Sequence, residues 1–178
     1  MKKASYLLIV LILLSSCIIQ IVNGNEYDSL TVKQKGVIHK LESFDSLKPK
    51  HIYEITGKQL LEELKTKEKS LVYIFANHCT SKTCIPISTI ENYAKENHLN
   101  FYPVMISYYQ LDYTLKQQIT GSLFSINNNY YNEKKERKYV EKFRKDIGYY
   151  SFSNNKYLGG YIYFKADKII DIKRMLNE

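Results

Sequence analysis

Cys79 and Cys84 are the residues in this chain best suited to covalent chemistry. Four residues separate them, in the order Cys79-Thr80-Ser81-Lys82-Thr83-Cys84, and His78 stands immediately upstream. A thiolate is a nucleophile and a metal ligand, and with a second thiol it forms half of a reversible disulfide. Lys82 and His78 bring positive charge to the pair, which favours the thiolate. Soft thiolates with an imidazole also suit Cu(I), and His78, His98, His51 and His39 are the imidazoles available. A single histidine is more often a surface residue than a ligand, so no resident metal or cofactor is expected. Other chemistries lack their residues. The chain shows no Ser-His-Asp set and no paired-carboxylate motif, and its seven glycines leave little room for a phosphate loop.

The elements that must position the cysteines follow from periodicity. Ser70 to Ala76 is an apolar run, rich in aromatic and β-branched residues and without alternation, as in a central strand covered on both faces. Ile85 to Asn97 reads as a helix with Ile87, Ile90 and Ala94 on one side. Its N-terminus, close after Cys84, adds partial positive charge that stabilises a thiolate. Upstream, His51 to Ile55 is a short strand. Thr56 then opens a helix as N-cap, with Gln59 completing a capping box and Ile55 and Leu60 placed as a hydrophobic staple. Leu60, Leu61 and Leu64 form the apolar face of that helix. Downstream, Phe101 to Tyr108 is a buried-type strand and Leu111 to Ile119 a short helix. Ser122 to Asn132 reads as an Asn/Tyr-rich loop, and Glu133 to Ile147 as a charged helix with Tyr139, Val140 and Phe143 inward. Tyr161 to Phe164 and Lys168 to Ile172 close the domain as a hairpin. Strands alternating with helices and then a hairpin predict a three-layer α/β domain.

Val72-Tyr73-Ile74-Phe75-Ala76-Asn77-His78-Cys79 resembles the thioredoxin superfamily, in which a buried strand delivers a redox cysteine to a helix N-terminus. Gly159 to Ile169 is similar to that family's next landmark, a strand entering a hairpin, and the order of elements agrees from about His51 to Ile172. The resemblance implies a thioredoxin-like three-layer α/β/α sandwich with a central mixed sheet and a helical insertion over roughly Gly121 to Ile147. It implies Cys79 as the attacking thiol and Cys84 as the resolving one, with His78, Lys82 and Gly160 around them. The activity implied is thiol-disulfide exchange on exported proteins, with those proteins or a membrane electron donor as partners. The chain departs from the pattern at several positions. The family places two residues between its cysteines, Tyr73 stands where a buried acid is frequent, His78 replaces a tryptophan, and Gly160 occupies the place of a cis-proline. Two alternatives stay open. One is a non-catalytic thioredoxin-like binding protein with a structural disulfide. The other is a copper-binding protein, although Pro86 falls one residue late for the copper-delivery pattern.

The compartment follows from the first 24 residues. Lys2 and Lys3 precede an uncharged run from Tyr6 to Leu14, the pattern of a secretory signal. Leu14-Ser15-Ser16-Cys17 resembles a lipobox, which implies cleavage before Cys17 and lipid attachment to it. An uncleaved helix from Tyr6 to Val22 or ordinary cleavage near Val22-Asn23-Gly24 would export the chain equally. The expected organisation is residues 1–24 as signal and anchor, Asn25 to Lys50 as tether and lead-in, and residues 51–178 as the thioredoxin-like domain. The expected location is the bacterial cell envelope, membrane-anchored and facing the periplasm or exterior. Disulfides persist there. The formal charge of +8 falls to +6 without Lys2 and Lys3, and its lysines are interspersed with acids. No basic stripe forms, so nucleic acid is not an expected partner.

Overall fold

The computed structural model describes residues 26–77, 84–149 and 160–176. Its strands are β1 (Ile38–Lys40), β2 (Ile52–Ile55), β3 (Lys69–Phe75), β4 (Asn100–Met105), β5 (Leu123–Ile126), β6 (Tyr161–Lys165) and β7 (Lys168–Lys173). Its helices are α1 (Val32–Lys35), α2 (Gly57–Lys65), α3 (Ile87–Glu96), α4 (Leu111–Leu115) and α5 (Glu136–Asp146). The strands form one mixed sheet in the order β1-β2-β5-β4-β3-β6-β7. The first five are mutually parallel, β6 runs antiparallel to β3, and β7 runs antiparallel to β6.

The burial of β3 explains its lack of alternation. Val72 and Ile74 join the core beneath α2 and α5, while Leu71 and Phe75 pack with α3 residues on the opposite face. Both faces are therefore dry, as parallel sheets require. Ile87, Ile90 and Ala94 are the buried residues of α3, as their spacing predicts. The capping box of α2 is present. The Gln59 amide donates to Thr56 Oγ1 at 3.1 Å, and the Thr56 amide donates to Gln59 Oε1 at 2.9 Å. Leu60 and Leu64 are fully buried, whereas Leu61 is half-buried at the border of that face.

Two regions differ from expectation. Within the predicted Ser122–Asn132 loop, Leu123–Ile126 is a wholly buried strand wedged between β2 and β4. Phe124 and Ile126 face one core and Leu123 the other. The insertion between the fourth strand and the hairpin thus adds a strand to the middle of the sheet as well as a helix. The second region is the lead-in. Thr31 caps α1 with its own capping box to Gln34, and β1 pairs with β2 through Ile38 and Ile52. Ile38 and Leu41 are buried, so this stretch is built into the sheet edge over its described part.

The rest of the insertion is held by a close contact at Gly57. A Cβ added there would lie 2.6 Å from both the Phe143 carbonyl and Asp146 Cβ. The start of α2 meets the end of α5 at that point. Tyr131 completes the joint, its hydroxyl accepting from the Gly57 amide at 2.8 Å and donating to Asp146 at 2.9 Å. The Asn/Tyr-rich segment therefore ends in a structural tyrosine. Both sheet edges are guarded against further pairing. β1 is three residues long, and β7 carries charged residues, an irregular register and an Asp171 side chain accepting from the Ile172 amide.

Gly57→Ala should lower stability by about 1–3 kcal/mol, the usual range for overpacking a well-filled contact. Urea denaturation measures this. A midpoint equal to the parent's would show that α5 moves aside and that the contact is not a constraint.

Candidate functional site

The parallel strands all end on one side of the sheet, and Cys84 lies there. It follows β3 in the chain and precedes Pro86, the N-cap of α3. Cys84 is half-buried and disulfide-bonded. Its partner lies outside the described residues, as do His78, Cys79 and Lys82 of the site and Cys17 of the export segment.

Cys84 lines a cleft of about 270 Å³. One wall is aromatic. Tyr73 stacks on Phe75 at 5.3 Å and on Tyr161 at 4.7 Å between ring centroids. The other wall is polar and comes from the exit of β3, from α4 and from the turn after it. Asn77, buried at the exit from β3, donates to the Ser107 carbonyl at 2.7 Å. Its Oδ1 accepts from the Thr114 hydroxyl at 2.8 Å. Gln117 Oε1 accepts from the Ile87 amide at 2.7 Å, at the first position of α3. None of these three polar residues was singled out by the sequence reading. The one signal available was Asn77 itself, a polar residue directly after an apolar run.

Gly160 sits at the entry to β6 beside β3. The Ile74 amide donates to its carbonyl at 2.9 Å, and a Cβ on Gly160 would fall 2.7 Å from the Ile74 carbonyl. Close backbone approach therefore demands glycine here. No peptide bond between described residues is cis.

Burial raises the pKa of Tyr73 well above the usual phenol range, and the neighbouring Tyr161 adds to the shift. Tyr73 thus stays a neutral phenol and does not supply the negative charge of a buried acid. A carboxylate does occur at this end of the sheet. Glu54, Ser125, Met105 and Phe75 lie in one row across β2, β5, β4 and β3. Three strand spacings put Glu54 about 14 Å from β3. Burial raises the Glu54 carboxyl, opposed by the Tyr108 hydroxyl, which donates to it at 3.2 Å, and by the charge of Lys40. Tyr108 also shares a 2.6 Å hydrogen bond with Ser125.

The imidazoles divide differently. His39 and His51 meet, with ring nitrogens 2.8 Å apart and rings stacked at 4.8 Å. His51 precedes β2 and so lies at the strand-start end, opposite Cys84. Neither is placed to join a thiolate at Cys84. Among the described residues no group of three or more His, Cys, Asp or Glu side chains could hold a metal. None of the described helices is long and apolar enough to cross a membrane. The residues define an α/β domain with a mixed seven-stranded sheet and a half-cystine at the C-terminal end of a central strand. No protein-family model, curated protein or solved structure matches this chain.

Glu54→Gln tests the half-buried carboxyl. Because its folded pKa is raised, ionisation costs stability above that pKa, and the cost disappears as pH falls and both states take up the proton. The amide keeps an acceptor for Tyr108 without the charge. The variant should unfold at higher urea than the parent near pH 7, with the gap closing toward pH ~4. A constant gap across that range would assign the effect to packing.

Proposed function

We propose that the chain is an envelope thiol-disulfide exchange protein of thioredoxin-like type, acting on exported proteins through Cys79 and Cys84. The observation that carries this reading is the position of Cys84, between the central strand β3 and the start of α3, on the wall of a cleft. Support also comes from the strand–helix order, from Gly160 entering the antiparallel strand beside β3, and from the disulfide at Cys84. Cys79 is its partner in this reading. The export pattern of residues 1–24, with Cys17 as the lipid-bearing residue, supports a membrane-anchored domain in an oxidising compartment.

The exchange balances as two displacements. In the reductive direction the Cys79 thiolate attacks one sulfur of a substrate disulfide. The substrate S–S bond breaks, a mixed disulfide forms, and the second substrate sulfur leaves as thiolate and takes a proton. The Cys84 thiolate then attacks Cys79 in the mixed disulfide, releasing the first substrate sulfur as a thiol. The substrate gains two electrons and the chain ends as the Cys79–Cys84 disulfide. The reverse sequence oxidises a substrate dithiol. His78 and Lys82 favour the attacking thiolate by their charge.

Redox titration of the full-length chain in mild detergent, read by thiol alkylation and mass spectrometry, tests the proposal. The expected midpoint lies within the range of exchange enzymes, about −120 to −270 mV. Cys84→Ala should accumulate mixed disulfides through Cys79. A pair still oxidised below about −300 mV, with nothing trapped, would make the bond a structural staple.

A further inference from the structure

We infer that Thr114 and Gln117 are positioning residues for the disulfide of Cys84, together setting how readily it is reduced. The inference rests on the reading of Cys79 as the partner. Two clasps run from one short stretch of chain, one to each side of the cysteine segment. Thr114 holds Asn77, the last described residue before the segment, at 2.8 Å. Gln117 holds the Ile87 amide, just beyond Cys84, at 2.7 Å.

The clasps share a rigid base. Thr114 is fully buried in α4, and the Gln117 amide donates to its carbonyl at 3.1 Å. Leu111 before it and Ile119 after it are both buried in the core beneath α3 and α4. Asn77 is fixed a second time through the Ser107 carbonyl, at 2.7 Å. Residues 77 and 87 are thereby both tied to the one stretch from Thr114 to Gln117.

The consequence is one of effective concentration. Two thiols on a segment with fixed ends meet more often than two on a segment with free ends. Fixing the ends lowers the entropy that the reduced form gains when the bond opens, and so favours the disulfide. Without either clasp, one end gains freedom in the reduced state and the bond becomes easier to reduce. The Thr114 hydroxyl matters as a donor and the Gln117 amide as an acceptor. Neither needs to touch sulfur.

The test is the equilibrium of the full-length chain with glutathione, after peptide mapping of the oxidised parent. Thr114→Val keeps the shape of the side chain and removes the donor. Gln117→Met keeps length and removes the acceptor. Each should shift the couple toward the dithiol about tenfold, equivalent to about 30 mV. Thr114→Ser restores the hydroxyl and should behave as the parent. Tyr131→Phe breaks hydrogen bonds at the distant α2–α5 joint, so it should lower stability without moving the equilibrium. Parental equilibria in both clasp variants would overturn the inference, as would an equal shift in Tyr131→Phe. Mapping of Cys84 to a residue other than Cys79 would overturn both this inference and the proposed exchange site. A parent couple below about −300 mV removes the exchange reading alone, leaving the clasps to be judged by the shifts.

Discussion

Sealing β3 inside the sheet is the constraint on which the rest of the structure turns. With a parallel partner on one edge, an antiparallel one on the other and mostly buried apolar side chains from Leu71 to Phe75, its backbone is largely shielded from water. Every amide and carbonyl must then be met by a neighbouring strand. The ladder is continued to its end on both sides, by the Ile106 amide on the Phe75 carbonyl and the Ile74 amide on Gly160, each at 2.9 Å. The latter approach excludes a side chain at residue 160. Where the ladder runs out, Asn77 takes over with side-chain hydrogen bonds, so the exit from the strand is as defined as the strand.

The polar groups around the cleft are satisfied by one another. Asn77, Thr114 and Ser107 close a buried set, and Gln117 meets an amide at the start of α3, where the helix has no side-chain cap from its own N-cap residue. Such sets are stabilising when complete and costly when broken. The carboxylate at this end of the sheet belongs to a different set, with Tyr108 and Ser125, several strands away. The neighbourhood of Cys84 is consequently neutral among the described residues lining its cleft, with aromatic rings on one side and amides and a hydroxyl on the other.

Much of this arrangement was legible from residue order. β3, α2, α3, α5 and the closing hairpin each carry a local signal, whether an unbroken apolar run, a capping box or a clean helical stripe. β5 carries none. Its four residues, Leu123 to Ile126, are too few to show a period, and the asparagines and tyrosines that follow mask its apolar character. β1 is shorter still and owes its place to Ile38 and to pairing with β2. The candidate site divides on the same line. The cysteines stand out by residue type, whereas Thr114 and Gln117 matter through contacts with Asn77 and Ile87, 37 and 30 positions away, and separation of that kind leaves no local mark.

The wedge position of β5 also orders events in time. β2 emerges early in the chain yet pairs on its inner side only with β5, so Ile52 waits for Leu123. β3 likewise waits for β6, with Lys69 facing Lys165. Contacts of such long range are slow to form because the loop entropy is spent before they are made. The β6-β7 hairpin and the β3-α3-β4 unit are pieces that can assemble from neighbouring sequence, the latter with β3 and β4 paired over six positions. A nascent chain cut short before residue 123 therefore lacks the strand that joins its two halves, and it stays open to extension until nearly its whole length is available.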